Sequence, residues 1–86
     1  MWRIIFEKQA QKDAEKLAAA GLRNEAEKLL GILRENPCQT PPTYEKLSGD
    51  LSGACSRRIN IQHRLMYQVL ENERVINVIR LWTHYE

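Results

Sequence analysis

Four polar side chains dispersed through an 86-residue sequence are of the types that metal-free cleavage of RNA requires: Glu45, Arg64, His84 and Tyr85. That reaction needs a base to take the proton of the 2′-hydroxyl and an acid to protonate the leaving 5′-oxygen. It also needs a cation to hold the charge that grows on the phosphorane. Glu45, His84 and Arg64 meet those needs in that order, and an aromatic ring such as Tyr85 can stack on a nucleobase. The product would be a 2′,3′-cyclic phosphate. Spacing alone does not establish the set. On spacing, Glu45 reads as a charge at the start of a turn, Arg64 as a solvated strand residue and His84 as a terminal residue, and this plainer assignment is the stronger of the two.

The elements that would have to position these groups follow from hydrophobic periodicity. Trp2 to Glu7 is aromatic, β-branched and short, and reads as a strand. From Lys8 the period becomes helical, with Ala10, Ala14, Leu17 and Ala18 in one stripe and Lys12, Asp13, Glu15 and Lys16 outside it. Gly21 suits the left-handed position that ends a helix. Leu22, Ala26, Leu29, Leu30 and Leu33 form a second apolar stripe, stopped at Asn36-Pro37 because the residue before proline is pushed out of the helical region. After a proline-rich loop and the turn sequences at Ser48-Gly49-Asp50 and Leu51-Ser52-Gly53, three strands are expected at 54–61, 63–70 and 75–82. Short connections make them an antiparallel meander. The expected fold is α+β in one domain, residues 1–86: strand, helix, helix, then the three-strand meander, one sheet packed on a helical hairpin. In the middle strand Leu65, Tyr67 and Val69 face the helices, which leaves Arg64, Met66 and Gln68 on an open face.

Composition sets wide bounds. Apolar residues make up 43% and charged residues 28%, which excludes a disordered chain, and the net charge of +2 is too small to argue for nucleic acid. The distribution is more informative: from Ala54 onward every basic residue is arginine (Arg57, Arg58, Arg64, Arg74, Arg80), whose planar fork matches phosphate oxygens. Cys38 and Cys55 with His63 and His84 match no metal-ligand spacing, so no metal or cofactor is expected. No apolar run approaches the ~18 residues of a membrane span. With no signal peptide read at the start, a reduced cytoplasmic protein is the expectation.

Leu51-Ser52-Gly53, Ser56-Arg57-Arg58-Ile59-Asn60, His63-Arg64-Leu65-Met66-Tyr67 and the terminal Thr83-His84-Tyr85 resemble, in order and spacing, the YoeB/Txe toxins of the RelE/ParE toxin superfamily. The resemblance implies a RelE-like fold. It also implies a ribosome-dependent endoribonuclease that cuts mRNA in the ribosomal A site and is held inactive by a YefM/Axe-type antitoxin. By the same resemblance Glu45 is the general base, Arg64 stabilises the transition state, His84 is the general acid and Tyr85 orients the substrate. Arg58 would contact phosphate, and Arg57, on the other side of the strand, would contact ribosomal RNA. Where the family often has Pro-Glu-Pro-Leu-Lys, this chain has Tyr44-Glu45-Lys46-Leu47-Ser48, which leaves Lys46 as the basic candidate for RNA there. A homodimer, and operator DNA reached only through the antitoxin, complete the implied partners. Glu86 follows the tyrosine at which family members commonly stop. Two other functions compete: a ParE-type poison of DNA gyrase, which needs no catalytic Glu/His pair, and a non-catalytic subunit of a transcriptional repressor complex.

Overall fold

The computed structural model describes residues 2–40, 44–46, 53–60 and 63–81. The chain forms β1 (Arg3–Phe6), α1 (Lys8–Ala19), α2 (Arg23–Glu35), β2 (Glu45–Lys46), β3 (Ala54–Arg58), β4 (Arg64–Leu70) and β5 (Val75–Arg80). The α+β order is therefore the expected one. Gly21 has the left-handed backbone foreseen for it, at φ 77°. The strands are shorter than the periodicity suggested, and residues 61, 62 and 82 of the expected meander lie outside the described part.

All five strands join one sheet in the order β1-β5-β4-β3-β2. The β2–β3, β3–β4 and β4–β5 pairs are antiparallel, whereas β1 lies parallel to β5. The helices return the chain so that β1 can occupy the edge beside β5. At the other edge the two residues of β2 extend the meander, a fifth strand beyond those expected from the periodicity. The β4–β5 ladder is irregular: Tyr67 pairs Val78 but Met66 pairs Arg80, so Ile79 is an extra residue on β5.

Apolar burial between the helices and one sheet face forms the core. Ala10 and Leu17 of α1 and Ala26, Leu29 and Leu33 of α2 meet Leu65, Tyr67, Ile76, Val78 and Leu81. Leu65 and Tyr67 point to the helices as their alternation requires. The opposite face is not open throughout, because Ala54, Ser56 and Met66, which share it by register, are buried. Among the described residues, no helix is long and apolar enough to cross a membrane.

Asp13 departs from expectation. It was placed outside the α1 stripe, yet it lies three residues after Ala10 and four before Leu17, and it is fully buried. Its carboxylate accepts hydrogen bonds from Arg80 Nε (2.8 Å) and Leu81 N (3.2 Å) on one oxygen and from Gln9 Nε2 (3.0 Å) on the other. Burial alone would raise its pKa, but the bonds from Arg80, Gln9 and Leu81, with the Arg80 charge, outweigh it and hold the group below the ordinary value of 3.8. A depressed folded-state pKa gives stability that is present above the unfolded value and lost as pH falls through the folded one. Thermal melts from about pH 6 to about pH 2 should therefore show the gap between wild type and Asp13→Asn shrinking only below about pH 4.

Candidate functional site

The register of the sheet assembles a polar cluster. Glu45 pairs Ser56 and Ser56 pairs Met66, while Arg58 pairs Arg64, so Glu45, Ser56, Arg58 and Arg64 all project from the face opposite the helices. From β2 and β4, Glu45 and Arg64 reach across β3 and meet, Arg64 Nη1 donating to Glu45 Oε1 at 2.8 Å. The pair is solvated, with side-chain exposures of 68% for Glu45 and 33% for Arg64. Such a pair is worth only ~0–1 kcal/mol, so it is not a means of holding the fold.

Two features of the cluster run against the rules for a stable sheet. Arg58 and Arg64 are directly opposite each other, and like charges in that position repel. A phosphate between them would turn that repulsion into binding. Beside them, the Ser56 hydroxyl is buried without a hydrogen-bond partner among the described residues. A buried hydroxyl in that state costs free energy and marks a place where a further polar group is wanted. The SRR motif drew attention to its arginines; the serine at its head had no signal of its own until register set it beside Glu45.

Arg57 requires a correction. Its side chain does point away from Arg58, as strand alternation demands, but that side is the helix-covered one. Arg57 pairs Leu65 and is only 1% exposed, so the expected contact with ribosomal RNA is not available to it. Instead Nη2 donates to Pro37 O (3.0 Å) and Gln39 O (2.9 Å), and Nε donates to Tyr67 Oη (3.0 Å). The guanidinium also lies 4.8 Å from the centroid of the Tyr44 ring. Burial, eased by the Arg57 hydrogen bond and charge, pushes the Tyr67 phenol up to about 12. It therefore stays protonated while accepting from Arg57. Arg57 is a clasp between the segment after α2 and the sheet.

Lys46 alternates with Glu45 on β2 and pairs Cys55, so it is exposed on the other side of the edge strand from the Glu45–Arg64 pair. It lines a cavity with Cys38, Tyr44, Cys55 and Glu71. Both cysteines are free thiols. Burial and then the neighbouring Cys38 push the Cys55 thiol up, which keeps it from being a primed nucleophile. No group of three or more His, Cys, Asp or Glu side chains among the described residues is arranged to hold a metal ion. His84 and Tyr85 lie outside the described residues.

Comparison with known proteins places this geometry in context. Residues 4–86 match the family model described as the ParE toxin of the type II toxin–antitoxin system, parDE. Toxin YoeB of Mycobacterium bovis is 34% identical over 58 residues, which is 67% of this chain and 66%, just under two thirds, of that relative. Among solved structures, a YoeB/ParE toxin from Agrobacterium tumefaciens superposes with a TM-score of 0.87 at 26% identity, over 96% of this chain and 99% of that one. The heterotetrameric YoeB–YefM toxin–antitoxin complex from Staphylococcus aureus gives a TM-score of 0.82 at 30% identity over 99% of both chains.

Proposed function

The chain belongs to the ParE toxin family of type II toxin–antitoxin systems and to its YoeB/RelE-type toxins, and from that premise we propose that it is a ribosome-dependent endoribonuclease acting on mRNA in the A site. The observation that carries this reading is the Glu45–Arg64 contact on a face that also bears Arg58. In the proposed reaction Glu45 takes the 2′-hydroxyl proton and the 2′-oxygen attacks the adjacent phosphorus. Arg64 and Arg58 hold the phosphorane charge, and His84 protonates the departing 5′-oxygen, leaving a 2′,3′-cyclic phosphate. Tyr85 orients the substrate. An arriving phosphate competes with Glu45 for Arg64, which frees the carboxylate to act as a base. Lys46, on the far side of β2, is left with at most a peripheral contact to RNA.

The proposed setting is the cytoplasm, with ribosomal RNA as the docking surface. The inhibitor is a YefM-type antitoxin, as in the Staphylococcus complex, through which operator DNA would be reached; the antitoxin-free toxin would form a homodimer. The test is purified protein on ribosomes translating a defined mRNA, with cuts mapped by primer extension and their ends examined for cyclic phosphate. A-site cuts carrying that end are expected, and an uncut message sinks the proposal. A second reading draws on the ParE name of the matching family model: poisoning of DNA gyrase. Inhibition of gyrase supercoiling by a Glu45→Ala, Arg64→Ala protein would favour it, since that activity needs neither residue.

A further inference from the structure

The proposed reaction makes no use of Ser56, although β3 holds it in the middle of the polar face. Ser56 pairs Glu45 on β2 and Met66 on β4, and its neighbours on the same face of β3 are Ala54 and Arg58. The residue is 3% exposed, and its hydroxyl has no hydrogen-bond partner among the described residues. A hydroxyl proton needs an acceptor. The Arg58 guanidinium has only donors, the Ala54 side chain has neither donor nor acceptor, and the Met66 sulfur accepts weakly, which leaves the Glu45 carboxylate. Directly opposed residues on one sheet face have Cβ atoms about 4.5–5.5 Å apart, a gap that a glutamate side chain spans.

In the structure that acceptor is turned elsewhere. Glu45 reaches across β3 to Arg64, which donates to it at 2.8 Å. The contact is solvated and weak, and a phosphate arriving at Arg64 and Arg58 would part it. Glu45 would then stand on a two-residue edge strand with its side-chain partner gone. A base in that condition is poorly aimed, and a misplacement of about 1 Å can cost about 10²-fold in rate.

We infer that Ser56 is a positioning residue for Glu45: its hydroxyl waits unpaired while Arg64 holds the carboxylate, and donates to that carboxylate once Arg64 turns to phosphate. One carboxylate oxygen then takes the hydroxyl, and the other is left for the 2′-hydroxyl proton. The resting arrangement carries the cost of a buried hydroxyl without a partner because the working arrangement uses it. Its consequence for cleavage rests on the ribonuclease reading. The exchange of donors does not, since removal of Arg64 alone should bring it about.

A thermodynamic cycle tests the exchange without RNA: Ser56→Ala is made in wild type and in Arg64→Ala, and all four proteins are melted. In wild type the substitution removes a buried hydroxyl that has no partner, so Tm should stay level or rise by up to about 8 °C. In Arg64→Ala it removes a bond to the freed carboxylate, so Tm should fall by about 4–8 °C. Adding Glu45→Ala to Arg64→Ala should abolish that fall. Equal shifts in the two backgrounds would overturn the inference. So would a Ser56→Ala protein that melts well below wild type or does not fold, because the hydroxyl would then be paired at rest. On programmed ribosomes, Ser56→Ala should lower the maximal single-turnover rate about 10-fold, with the half-saturating ribosome concentration within about twofold. Ser56→Thr, which keeps the hydroxyl, should recover most of that rate. Cleavage by Ser56→Ala at the wild-type rate would overturn the positioning role. A wild type that cuts no RNA, with the opposite Tm shifts intact, would remove the ribonuclease reading and leave the exchange of donors standing.

Discussion

Arg64→Ala is expected to slow single-turnover RNA cleavage about 10²–10³-fold, the usual cost of one lost transition-state charge donor, while the melting temperature hardly moves. The two halves of that result have different physical origins. Folding gains little from the Arg64–Glu45 contact because both side chains reach solvent and the pair is screened. In the proposed reaction the phosphorane gains much more, because its additional negative charge develops only on the way to the transition state. Glu45→Gln should show the same separation, with a loss of about 10²–10⁴-fold, since the amide keeps the shape but cannot accept the proton. Arg64→Lys should recover part of the rate, as it restores the charge without the planar fork. An Arg64→Ala protein that cleaves programmed ribosomes at the wild-type rate would remove this arginine from the mechanism.

The opposite signature is expected one strand position from Arg58. Arg57→Ala should cost about 1–3 kcal/mol of stability, because buried neutral acceptors are left without their donor. Pro37 O and Gln39 O lose their guanidinium donor, and Tyr67 Oη loses the group it accepts from. At about 4–8 °C per kcal/mol for a domain of this size, that is a fall of roughly 4–24 °C in Tm, read by thermal melting. Arg57→Lys should restore little, because one ammonium cannot span two carbonyls and a phenol with the same fixed geometry. Cleavage per folded molecule should persist in Arg57→Ala when measured below its Tm. Normal stability with weakened ribosome binding would restore the RNA contact that the sequence suggested.

Arg57 shows where reading a sequence stops. Alternation along β3 correctly separates Arg57 from Arg58, and the same rule correctly turns Leu65 and Tyr67 towards the helices. The missing information was register: Arg57 stands opposite Leu65 and must share its covered face. Asp13 is a different case. Its spacing from Ala10 and Leu17 puts it on the apolar stripe, but a carboxylate is buried there only when a partner from elsewhere pairs its charge. That partner, Arg80, is 67 residues away in sequence.

Local chemistry in the sequence was enough to determine both helices and four of the five described strands, the glycine that ends α1, and the residue types proposed to cleave RNA. Those properties depend on periods of two or 3.6 residues and on turn preferences, which a short stretch of chain settles for itself. Only the tertiary structure decided that Glu45 touches Arg64 across β3, that β1 takes the edge beside β5, and that Arg57 and Asp13 serve the interior. Each of these depends on which face another element covers and on the register between strands, and both are set by packing among segments remote from one another along the chain.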